Sequence, residues 1–118
     1  MISRQRSRVE FLQGTLDLLI LRTLLGGPTH GHAVAKHIQR TSEELLQVET
    51  GSLYPALHRL EAQGLISAFW DLSDKGKRAR FYRLTPRGKK HLMAEQSKWH
   101  AFSRAVGLIL KPADQEGQ

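Results

Sequence analysis

A chain of 118 residues with 40% apolar content has room for one domain with a small core and is too short for two. Eighteen Lys and Arg against eleven Asp and Glu leave a formal net charge of +7, so the first partner to expect is an anion. The absence of cysteine excludes disulfide frameworks and thiolate zinc sites. No apolar run approaches the roughly 20 residues that span a bilayer; the longest, Leu16 to Leu25, is broken by Asp17, Arg22 and Thr23. The N-terminus has no apolar segment or cleavage pattern of a signal peptide. A soluble cytoplasmic protein with no membrane partner is the expectation.

Residues 1–10 are polar and carry Arg4, Arg6 and Arg8 at alternate positions, which suggests a flexible basic arm. Residues 12–25 are apolar at so many positions (Leu12, Leu16, Leu18, Leu19, Ile20, Leu21, Leu24, Leu25) that a helix there needs cover on more than one side. A second subunit is one source of that cover, with Leu16 and Leu19 as its contacts. Gly26-Gly27-Pro28 ends this helix. Thr29 or His30 opens a second one to about Thr41, with Val34, Ala35 and Ile38 turned inward, and residues 42–50 make a turn with a brief buried piece.

A third helix follows, on which Leu53, Leu57 and Leu60 form one apolar stripe until Gly64 stops it. Pro55 belongs in a first helical turn, which puts the cap at or near Ser52. The opposite face offers Pro55, His58, Arg59 and Ala62, with Ser52 and Tyr54 leading, a small, polar and basic surface suited to a DNA major groove. Residues 65–72 and 78–85 predict two strands around the polar tip Ser73-Asp74-Lys75-Gly76-Lys77, the wing of a winged helix-turn-helix. Thr85-Pro86 is a cap followed by proline at the first helical position, and starts a last helix running to about Leu110. Leu92, Trp99 and Val106 recur at sevenfold spacing, joined by Phe102 and Ile109, a seam that dimerisation explains best.

The fold class expected is therefore mainly α with a small β-hairpin: a winged helix-turn-helix over 11–85 and a dimerisation helix over 86–111, between the arm and a disordered tail at 112–118. Thr50 and Ser52 are candidates for phosphate contact at a helix start; Tyr54, His58 and Arg59 are candidates for the groove, where arginine can bind guanine through two hydrogen bonds. Eight bases and no acid lie between Lys75 and Lys90. Of these, Lys75, Lys77, Arg78 and Arg80 bracket the hairpin and are assigned to the DNA backbone, which positions a protein without specifying sequence. Arg87, Lys89 and Lys90 flank the last helix. Trp99 and Phe102 suit core or dimer packing and, as flat aromatics between subunits, a hydrophobic effector. His30, His32 and His37 lack the spacing and companion ligands of a metal site. No nucleophile elbow, phosphate-cradling glycine loop or carboxylate pair supports catalysis. No metal, cofactor or enzymatic activity is expected.

Four blocks of the chain resemble the PadR family of bacterial transcriptional regulators: Gly14-Thr15-Leu16-Asp17-Leu18-Leu19-Ile20-Leu21, Gly27-Pro28-Thr29-His30-Gly31, Gly51 through Glu61, and Phe81-Tyr82-Arg83-Leu84-Thr85-Pro86-Arg87-Gly88. They keep their order and spacing over roughly residues 12–110. His32 stands where the family usually has tyrosine, so a role of that phenol does not carry over. The resemblance implies a short member with a single C-terminal helix that binds promoter DNA as a homodimer, represses, and in several relatives responds to a small ligand. Two half-sites would then lie about one helical turn, roughly 34 Å, apart. Two rivals remain. A nonspecific basic nucleic-acid binder would ignore sequence and lose affinity steeply with salt. A winged-helix adaptor for proteins would tolerate neutralisation of the wing.

Overall fold

The computed structural model describes residues 14–112. The arm at 1–10 and the tail from Ala113 onward lie outside the described residues. In chain order the elements are α1 (Thr15–Leu25), β1 (Thr29–His30), α2 (Gly31–Thr41), α3 (Thr50–Ala62), β2 (Ile66–Leu72), β3 (Arg78–Leu84) and α4 (Pro86–Ile109). This is the expected mainly helical winged fold, with one addition. Two residues before α2 pair antiparallel with β3, Thr29 opposite Tyr82 and His30 opposite Phe81, giving a sheet ordered β1-β3-β2. Two residues are too few to show a strand periodicity.

The core collects the inward stripes of every element. Ile20, Leu21, Val34, Leu53, Leu57, Leu60, Ile66 and Leu92 are its largest fully enclosed side chains. α1 lies at the centre, against α2, α3, β3 and α4, which is why its sequence is apolar nearly all round. Leu16 and Leu92, expected at a subunit interface, belong to this core with 8% and 0% exposure. Neither has surface to offer a partner. Leu19 is half-buried on the α2 side of α1, beside Ile38 and Leu46, and not on the side that α4 covers. The α1 residues that line the α1–α4 cleft are Thr15, Asp17, Leu18 and Leu21. In the protomer α1 is thus covered from several sides by its own chain.

α3 is capped three residues earlier than the proline suggests. Its N-cap is Glu49, without a side-chain capping bond, and Pro55 lies inside the helix. Proline has no N–H for the carbonyl four residues back, here Gly51. Both residues are on the exposed face, where that carbonyl keeps its access to water. Gly64, at φ 75°, ends the helix, and Leu65 N–H returns to the Leu60 carbonyl at 3.0 Å.

Thr85 joins the wing to α4. Its hydroxyl accepts from Gly88 N–H at 2.9 Å and donates to the Gly64 carbonyl at 2.7 Å, while Pro86 occupies the first helical turn. Removing the hydroxyl opens both ends of that bridge. Thr85→Ala should lower unfolding free energy by about 1–2 kcal/mol, the upper range for a lost cap. Urea denaturation reads this, and an unchanged midpoint would refute the bridging role.

Candidate nucleic-acid interface

The helix-turn-helix is α2 followed by α3, and α3 buries Leu53, Ala56, Leu57 and Leu60 against α1, α2 and the sheet. At about 100° per residue, Gly51, Pro55, His58 and Ala62 form the centre of the opposite face; all four are exposed. Thr50 and Ser52 are exposed in the first turn. Tyr54 and Arg59 do not share one surface, because five residues put them about 140° apart around the axis. The Tyr54 ring leans over the bare backbone of Gly31, where an added Cβ would come within 3.0 Å of it. Arg59 leans the other way and meets Asp17 of α1 at 2.7 Å. The three proposed groove residues thus resolve into a central His58, a flanking Tyr54, and an arginine tied to the neighbouring helix. An exposed pair of this kind contributes at most about 1 kcal/mol, so its meaning is orientation more than stability.

The hairpin register sets the wing. Ile66 faces Leu84, Ala68 faces Tyr82, Trp70 faces Arg80 and Leu72 faces Arg78. With side chains alternating along each strand, these pairs share one face. Ile66, Ala68, Tyr82 and Leu84 pack into the core. Further out the same face carries Trp70 and Leu72, 57% and 64% exposed, beside two arginines. Those arginines are not equivalent. Arg80 reaches Glu61 of α3 at 2.8 Å, so it locks wing to helix. Arg78 lies over the Trp70 ring, 4.7 Å from its centroid, held by cation–π attraction and forming no ion pair among the described residues. Lys75 and Lys77 project from the tip and form no ion pair among the described residues. The tip is a tight loop: Ser73 N–H bonds the Lys77 carbonyl at 2.7 Å, and Gly76 adopts φ 73°, a value that excludes most side chains.

At the base of the wing, Tyr82 is buried, and burial raises its phenol above the ordinary value of 10.0 against the opposing pull of Arg80. It serves the core as a neutral ring. On the outer face Arg83 stacks over Phe69 at 4.4 Å, and Phe69 meets Phe81, whose ring stands nearly perpendicular to that of His30.

Sequence pattern gives no sign of Asp17 and Glu61, the acids that hold Arg59 and Arg80. They lie 42 and 19 residues from their partners, and no local pattern announces such pairs. Trp70 and Leu72 have a legible signal, the alternation with Ile66 and Ala68.

A helix-turn-helix joined to a basic hairpin, with the second helix turning a small polar face outward, defines a winged-helix DNA-binding protein. Residues 20–94 match the family described as Transcriptional regulator PadR-like family. The chain belongs to that family and is a transcriptional regulator, a class that acts by binding DNA and not by catalysis. A transcriptional regulator from Clostridium thermocellum is similar in structure, with TM-score 0.76, 29% identity, and coverage of 84% of this chain and 96% of that one. So is a PadR family transcriptional regulator from Eggerthella lenta, at TM-score 0.70, 33% identity and 84% coverage of each chain. Among curated relatives, transcriptional regulator Rv3488 of Mycobacterium tuberculosis is 33% identical over 97 residues, 82% of this chain and 87% of its own. No helix among the described residues is long and apolar enough to cross a membrane.

Proposed function

We propose that this protein is a homodimeric repressor that binds promoter DNA sequence-specifically, with α3 in the major groove and the wing on the adjacent backbone. The observation that carries the reading is the division of labour among the basic residues. Arg59 and Arg80 are occupied by Asp17 and Glu61, which fixes α3 between α1 and the wing. Lys75 and Lys77 extend from the tip beyond it, and Arg78 is braced on Trp70. Thr50, Ser52, Tyr54 and His58 present the short polar groups for phosphate and base edges on the outward side of α3. Of the earlier groove candidates His58 takes the leading place, and Arg59 acts as a strut from which it can swing to DNA only by leaving Asp17.

The second half of the proposal is the dimer. Beyond Leu92 no residue of α4 is buried, and Trp99, Phe102, Leu108, Ile109 and Leu110 are 41–80% exposed. Their burial against a second copy is the natural use of that surface. A cleft of about 410 Å³ between α1 and α4 is lined by Leu18, Leu21, Trp99 and Phe102 together with Asp17, Glu95 and Lys98, and suits a flat hydrophobic effector with one polar edge. Because Asp17 also holds Arg59, a ligand there would act directly on the seat of α3.

The test is binding to the duplex upstream of this protein's own gene against a shuffled duplex, over a salt series. The wild type should prefer the native duplex near physiological salt. Lys77→Ala should weaken both duplexes equally and reduce the slope of log K against log salt by about 0.9, whereas His58→Ala should cost the native duplex more, narrowing the preference. Equal losses on both duplexes for His58→Ala would refute its base-reading role.

A further inference from the structure

Between α2 and the wing tip, on the side of the hairpin that carries Ala79, runs an open groove of about 560 Å³ that the recognition helix does not line. Its α2 wall is formed by His32, Lys36, His37 and Arg40, and its wing wall by Asp74 and Lys75. Three fixed cations thus face one carboxylate. None of the three forms an ion pair among the described residues, and α2 contains no acidic residue along its length. Lys36 and Arg40 are one turn apart on the same helical face, where like charges repel and disfavour the helix. An isolated structural helix gains nothing from this arrangement. An anion lodged between them reverses its sign.

The histidines add directed donors. His30, which also lines the groove, accepts the Ala33 N–H on Nδ1 at 3.2 Å and so caps α2; the proton of its neutral ring therefore sits on Nε2. Its ring stacks on that of His32, centroids 6.5 Å apart and planes within 8°. The volume falls in the range of ligand sites and exceeds what one small ion fills.

We infer that this groove is a phosphate-binding site, and that the phosphates it takes are those of the DNA backbone flanking the segment covered by α3. In that form the inference rests on the DNA-binding reading above; the phosphate chemistry itself does not. It adds a second electrostatic surface to the wing tip, with Lys75 shared between the two. DNA held there is contacted on both sides of the hairpin, so the footprint extends past the half-site read by α3.

The experiment compares the full chain with the double variant Lys36→Gln, Arg40→Gln, both exposed positions where glutamine keeps helix propensity; circular dichroism and a melt confirm the fold. One arm measures affinity for an arbitrary duplex over a salt series. The other follows the histidine ring resonances during titration with inorganic pyrophosphate. The expected result is a salt slope lower by about 1.8, close to 0.9 per cation removed, with pyrophosphate shifts at His32 and His37 lost in the variant. Pyrophosphate shifts lost in the variant with an unchanged DNA slope would overturn the DNA assignment and identify a free phosphate ligand. Wild-type behaviour of the variant in both arms would overturn the site altogether. Failure of the wild type to bind any duplex would count against the promoter reading, while the pyrophosphate arm would still decide the groove.

Discussion

Gly88→Ala should destabilise the protein by about 3 kcal/mol or more, placing it among the severe single substitutions. Gly88 is buried in the first turn of α4, where the helix presses on the strand it has just left. A Cβ at this position would run into the Leu65 carbonyl group, with the Leu84 Cδ1 atom only 2.9 Å away. The obstacle is backbone, and it is pinned from both sides. Leu65 N–H bonds the Leu60 carbonyl at 3.0 Å, and the Leu65 carbonyl accepts from Thr85 N–H at 3.1 Å. Relief requires either breaking the Thr85 bridge or sliding α4 off the wing. The φ of Gly88 is not in the left-handed region, so the demand is for space and not for glycine's conformational range. The midpoint of urea unfolding should fall well below that of Thr85→Ala, which loses only a cap and a hydrogen bond. A midpoint within error of the wild type would mean that α4 and the wing are not packed as described. DNA affinity should fall in parallel, because α4 and the wing are positioned by the same contact.

What the sequence made legible divides along a physical line. Helices and hairpin were readable because stripes such as Leu53-Leu57-Leu60 and the pair Thr85-Pro86 are local signals that tertiary structure reinforces. The family blocks supplied the order of the elements. Three things were not readable. The proline rule places the start of α3 near Ser52, whereas an exposed helix face tolerates Pro55 one turn further in. The ion pairs of Arg59 and Arg80 have their acid partners on distant elements, 42 and 19 residues away. Sevenfold spacing cannot tell where a helix stops leaning on its own chain: the apolar stripe of α4 passes from the core at Leu92 to exposed surface by Trp99. The groove beside α2 is hidden from the sequence for a related reason. Lys36 and Arg40 look like ordinary surface residues until the fold brings Lys75 across from them.

Charging the free part of that seam should separate the subunits. Trp99, Phe102, Val106 and Ile109 follow the three-and-four spacing of a coiled-coil seam, and Phe102 and Ile109 are 62% and 80% exposed in the protomer. Phe102→Asp together with Ile109→Asp therefore removes nothing from the protomer core, while a dimer would have to bury two carboxylates in apolar surroundings, which costs several kcal/mol per unpaired ion. Sedimentation should report twice 13.4 kDa for the wild type and a single 13.4 kDa chain for the double variant, with the helix content and melting of the protomer fold retained. DNA binding supplies the stronger readout. Two linked half-site contacts gain from high effective concentration, so uncoupling them should reduce affinity for the native duplex by roughly 100-fold or more. The salt slope should drop toward half, since each event then neutralises the phosphates of one subunit. A double variant that still sediments as a dimer would place the subunit contact on another surface. A wild type that sediments as a monomer at micromolar concentration would remove the dimer from the proposal and leave α4's apolar face for a different partner. The cleft at Trp99 and Phe102 makes the outcome bear on regulation as well. The same two aromatics line that cleft and belong to the proposed seam, so on that proposal a ligand bound there changes how the subunits meet, and with them the spacing of the two α3 helices on DNA.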